Sequence, residues 1–178
     1  MNKNIIRLAI ITALILLIPL FGNAFVDGWN WGLFDFVFAF ILIFGTGVAY
    51  ELITRKIKNS TYKLAVGLGL LTGFLVIWVN LAVGIIGDED NPVNVLYFGV
   101  LFFGFIGSIV SQSKPKAMAK VLFTAATMQF LVPFIAFFIS QPTLFEPPGI
   151  VGVLVLNSAF ATMFLGSGLL FRQASAAK

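Results

Sequence analysis

Long apolar runs separated by short polar clusters set the pattern of this 178-residue chain. Six runs stand out, at roughly 5–22, 32–54, 62–87, 93–112, 117–140 and 149–172. Each is close to the roughly 20 residues a helix needs to cross about 30 Å of hydrocarbon. The pattern therefore predicts an all-α protein, a bundle of six transmembrane helices with short loops. It is expected to form a single membrane-embedded domain over residues 1–178.

The first run follows Lys3 and Arg7 and so resembles a signal peptide. The stretch Phe21-Gly-Asn-Ala24 lacks the small-x-small cleavage pattern, and the run is expected to be a retained helix with Pro19 near its far end.

The basic residues fix an expected orientation. Lys3 and Arg7 precede helix one; Arg55, Lys56, Lys58 and Lys63 lie between helices two and three. Lys114, Lys116 and Lys120 lie between four and five, and Arg172 and Lys178 end the chain. With six spans every base falls on one side, while the opposite loops hold only acids: Asp27, Asp88, Glu89, Asp90 and Glu146. Bases concentrate on the cytoplasmic side, so both termini are expected there. Trp29 and Trp31 fall where an outer aromatic belt belongs, and Pro147 and Pro148 suit the start of helix six.

Composition agrees. Apolar residues make up 60% of the chain and charged residues 10%, against about 25% in soluble domains. Mean hydropathy is +1.04. The sequence pI near 9.6 reads as membrane orientation, and no nucleic-acid partner is expected. The chain has no Cys and no His, which removes thiol chemistry, the commonest metal ligand and the usual general base. No phosphate loop of the GxxxxGK type is present. Neither an enzyme nor a bound cofactor or metal is expected.

Polar side chains inside apolar runs are costly and tend to face a bundle interior. Asp35 lies about 6 Å deeper than Trp31 at 1.5 Å per residue, in the first turn of helix two. An acid there gains from the helix dipole; the rival reading is a proton or cation site. Glu51 precedes Arg55 by four residues, the favourable order for an ion pair. Gly69, Gly73, Asn80, Gly84 and Gly87 fall on one face of the third run and read as a helix-packing seam. Asn91-Pro92 reads as a helix start, with Asn as N-cap and Pro first in the helix. A calcium loop starting at Asp88 fails, because Val93 and Gly99 stand where such a loop needs Gly and Glu.

Gln129 precedes Pro133 by four residues, so its carbonyl loses its helical partner. Transporters use interrupted helices of this kind at binding sites. Asn157 lies in the sixth run at a depth like that of Asn80. Asp35, Asn80, Gln129 and Asn157 are thus the candidate solute- or ion-binding residues, should their faces converge.

The run Trp78-Val-Asn-Leu-Ala-Val-Gly-Ile-Ile-Gly-Asp-Glu-Asp-Asn-Pro-Val-Asn94, followed by Tyr97-Phe-Gly99, resembles small bacterial multi-pass inner-membrane proteins of similar length. The resemblance implies a compact helical membrane protein and carries no activity or residue role. Two functions are expected on these grounds. One is a transporter or channel component for an ion or small solute. The other is a non-catalytic accessory or structural subunit. Its partners would be the lipid bilayer with a homo-oligomer or a larger membrane complex.

Overall fold

The computed structural model describes residues 3–139 and 148–176. The expectations for Glu146, Pro147 and Lys178 lie outside the described residues. The described chain is helical throughout, with no strand: α1 Lys3–Phe25, α2 Leu33–Thr54, α3 Ser60–Ala82, α4 Val95–Val110, α5 Pro115–Ile139 and α6 Gly149–Ala176. A 3-10 turn, Pro92–Asn94, leads directly into α4. Six helical segments, counting that turn with α4, are long and apolar enough to cross a membrane.

The chain forms two compact units, Met1–Lys56 and Ile57–Lys178. The first is the α1–α2 hairpin. Its link is held by two contacts that the sequence makes available. Gly22 lacks a side chain, and the Trp29 ring fills that space, less than 3 Å from where a Cβ would stand. The Asn23 amide then clamps the Trp31 backbone in both directions, accepting from its N–H at 2.8 Å and donating to its carbonyl at 2.7 Å. At the hairpin's open end Asn4 donates to Glu51 at 2.6 Å. Glu51 thus takes a neutral amide as its partner, where the sequence suggested Arg55; the α1 helix brings Asn4 to it. That bond puts Lys3, Arg7, Arg55 and Lys56 at one end of the hairpin and Asp27 at the other.

The second unit is α3 to α6. Helix α6 runs along α5 and α3, and α4 runs along α5. Small residues set the approach: Gly69 faces Ser167 of α6 and Leu122 of α5, and Gly168 lies under the Phe123 ring. The buried interior is Val76, Val100, Ala125, Ala136, Val153, Phe164 and Phe171, among others. At one end Tyr62 ties three elements together. Its hydroxyl donates to the Ser113 carbonyl at 2.9 Å, and its ring meets Phe171 edge-on at 5.1 Å. Lys58, Lys63, Lys114, Lys116, Lys120 and Arg172 therefore gather at the end of the unit that Tyr62 marks. Asp88, Glu89 and Asp90 lie at the opposite end, where α3 gives way to α4.

Most helix ends shift by a few residues, and one shift matters. The third run reads as helix to residue 87, but α3 stops at Ala82. Gly84 and Gly87 adopt φ of +73° and +67°, a left-handed backbone that suits glycine. They belong to the turn and leave the packing seam expected for them. Gly69 and Gly73 stay on α3, the latter at ordinary contact with Leu101 of α4.

Candidate functional site

The turn that follows α3 is built around one amide. Asn94 Oδ1 accepts from the Ile86 N–H at 3.0 Å. Its Nδ2 donates to the Ile86 carbonyl at 3.1 Å and the Asp88 carbonyl at 2.7 Å. Asn94 thereby supplies partners to the Ile86 N–H and to the Ile86 and Asp88 carbonyls, as buried backbone groups require. Ile85 and Ile86 are fully buried beneath it. Asn80, the polar residue of α3, joins the same turn: its Nδ2 donates to the Asn94 carbonyl at 3.1 Å. Asn91 caps the next element as expected, its Oδ1 accepting from the Val93 N–H at 3.1 Å with Pro92 first in the turn. Asp88 serves here through its backbone carbonyl, which also accepts from the Asn91 N–H at 3.3 Å.

Gln129 and Asn157 do come together. Gln129 Nε2 donates to Asn157 Oδ1 at 3.1 Å. Asn157 Nδ2 donates onward to the Tyr97 hydroxyl at 3.0 Å and to the Val153 carbonyl, one turn back on α6, at 2.8 Å. One amide thus links α4, α5 and α6. Gln129, Asn157 and Tyr97 are all at most 1% exposed. Gln129 Oε1 is buried without a partner. Helix α5 continues through Pro133 to Ile139, so the proline deletes one N–H without breaking the helix.

Asp35 belongs to the α1–α2 unit. It is the third residue of α2, and it is exposed. Its Oδ2 accepts from the N–H of Gly32, the N-cap, at 2.8 Å. Gly32 has no side chain to return the bond, so this is the acidic half of a capping box. Of the four candidates, then, Gln129 and Asn157 share one network, Asn80 is taken up by the Asn94 turn, and Asp35 caps its own helix.

Sequence reading missed Tyr97, Asn94 and Ser167. Ser167 donates to the Ala65 carbonyl at 2.7 Å, fully buried between α6 and α3. Tyr97 carried a signal, a hydroxyl inside the fourth apolar run; Asn94 stands at the start of that run, and its bonds back to Ile86 and Asp88 left none. Chemically the interior is uniform. Every buried polar residue described is neutral: Asn, Gln, Ser or Thr. Thr54 and Thr72 serve their own helices, donating to the Tyr50 and Leu68 carbonyls, each at 2.7 Å. Amides, hydroxyls and the phenols of Tyr62 and Tyr97 can hold helices or a hydrogen-bonding ligand; none supplies a carboxylate or an amine.

Two apolar hollows flank this core. One, of about 180 Å³, lies between α5 and α6 and is lined by Pro133, Phe134, Phe137, Phe138, Ile150, Val153 and Leu154. The other, of about 540 Å³, is a groove between α4 and α5. Asn80, Gln129 and Asn157 line neither. Comparison with known proteins finds no matching family model, curated protein or solved structure.

Proposed function

We propose that this chain is a bacterial inner-membrane protein with six spans and cytoplasmic termini, acting as a non-catalytic structural or accessory subunit of a larger membrane complex. The observation that carries this reading is how the interior polar groups are used. Asn157, Asn80, Asn94 and Ser167 each bond across elements of the α3–α6 unit. Helices in lipid gain little from burying apolar surface against each other, so such bonds and small-residue contacts do the holding. The polar cluster is a brace. Asp35, the one acid within the candidate set, is engaged in a helix cap.

The α1–α2 hairpin supports the accessory role. Only Thr12, Pro19 and Gly22 of α1 and Ala39 and Thr54 of α2 are buried. Gly45 has no atom of its own hairpin within 4 Å of where a Cβ would stand, and a small residue on a helix face permits close helix approach. Membrane insertion is supported by the six apolar helices and by the gathering of bases at one end of each unit.

A solute pathway through the α3–α6 unit is the second reading, favoured by the unpartnered Gln129 Oε1 beside the carbonyl that Pro133 frees. Hydrogen exchange of the chain in lipid discs separates the two. A brace keeps the amides around Asn80, Tyr97, Gln129 and Asn157 as protected as the rest of the core. Exchange within seconds at those four places, with their neighbours protected, would mark a water-filled path and overturn the brace.

A further inference from the structure

We infer that the groove between α4 and α5 is a binding site for one anionic phospholipid, with an acyl chain in the groove and the phosphate among Lys114, Lys116 and Lys120. This rests on the membrane insertion and orientation proposed above. The groove is shaped by what α4 lacks and what it carries. Gly99 leaves its floor open, while Phe102, Phe103 and Ile106 line it. Gly107 is where the two helices touch, since a Cβ there would stand 2.6 Å from Val121. The groove runs from Gly99 to Ser111, twelve residues or about 18 Å at 1.5 Å per residue. One leaflet of a bilayer has about 15 Å of hydrocarbon, half of the usual thickness. An acyl chain of one leaflet therefore fits its length.

The charge at the end of the groove selects the lipid. Ser111 closes it, and the turn to α5 begins there. Lys114, Lys116 and Lys120 are all exposed around that turn. Lys116 and Lys120 are one helical turn apart, a spacing at which like charges repel. No Asp or Glu occurs anywhere from residue 91 to 145 to relieve them. Basic pockets between helices on the cytoplasmic side bind anionic head groups, and anionic lipids populate that leaflet. A zwitterionic lipid would fill the groove and leave three charges unanswered.

The experiment uses the full-length chain in a neutral detergent, titrated with phosphatidylglycerol, phosphatidylcholine or inorganic phosphate. Native mass spectrometry counts bound lipid, and thermal unfolding gives the shift. One equivalent of phosphatidylglycerol should be retained and should raise the midpoint more than phosphatidylcholine does. The combined variant K114Q/K116Q/K120Q should weaken that binding by about a hundredfold or more, three bases at their usual strength near an anionic surface. The variant G99L should weaken it too, since nothing lies within 4 Å of a Cβ at this position and the added side chain enters the groove without disturbing the helices. Equal behaviour of the two lipids, the same shift from phosphate alone, or wild-type binding by both variants would overturn the inference. Membrane integration is measured separately, by resistance to alkaline extraction. A chain that resists extraction yet shows no lipid preference refutes the site alone; one that is extracted refutes the membrane reading itself.

Discussion

Replacing Asn157 by Leu keeps the shape of the side chain and removes the centre of the α4–α5–α6 network. Two bonds between helices are lost, from Gln129 and to Tyr97, together with the bond to Val153 on the same helix. Bonds between membrane helices average about 0.6 kcal/mol, so the pair contributes about 1.2 kcal/mol. The greater cost comes from the group left behind. Gln129 Nε2 becomes a buried donor without an acceptor, on a side chain whose Oε1 already lacks a donor. A buried group left unsatisfied costs about 1–3 kcal/mol. The expected loss for Asn157→Leu is therefore about 2–4 kcal/mol. Adding Gln129→Met removes the stranded amide, so the double variant should be more stable than the two single losses together allow. The coupling should reach about 1 kcal/mol or more, as contacting residues show. Reversible unfolding in mixed micelles, with all four proteins measured by helical signal, gives these numbers. A loss below about 0.5 kcal/mol for Asn157→Leu, or strict additivity in the cycle, would refute the brace.

Three further outcomes follow from other parts of the molecule. Lys58→Cys and Lys116→Cys should resist an impermeant thiol reagent in intact cells while Glu89→Cys reacts, and labelling at position 58 from outside would contradict the proposed orientation. Asp35→Asn should lower stability by at most about 1 kcal/mol, the usual value of an acid at a helix start, and leave the chain folded; a larger loss on thermal unfolding would show that Asp35 does more than cap α2. Gly84→Ala should cost more than about 2 kcal/mol, because the left-handed backbone alone costs about 1–2 kcal/mol and the new Cβ overlaps the Asp88 carbonyl. Its effect should appear as fast hydrogen exchange confined to residues 83–94, and wild-type exchange there would count against the Asn94-centred turn.

The helices were legible because crossing hydrocarbon demands about 20 apolar residues in a row, and six runs satisfy that. The end of α3 was not, because Ile85 and Ile86 are as apolar as any helical residue. They are buried in a turn, and that turn depends on Asn94, eight residues away, reaching back to the Ile86 backbone. A tertiary bond of this kind leaves no periodic trace. The depth of Asn157 and Gln129 could be read from their positions, yet their meeting depends on how each helix is rotated about its axis. That rotation is set where Gly69 and Gly168 let α3, α5 and α6 close on one another. For Asp35 the dipole argument already described the observed cap. Asn80, Gln129 and Asn157 bond within the α3–α6 unit.

The most direct measurement of the proposed role is the mass of the chain extracted in discs of its native lipid, without detergent. A structural or accessory subunit should emerge with a second, different membrane protein in fixed ratio, and the ratio should survive Asp35→Asn. Recovery of the chain alone, holding a small solute or ion that Asn157→Leu releases from an otherwise folded protein, would contradict the accessory role and make the Gln129–Asn157 network a binding site.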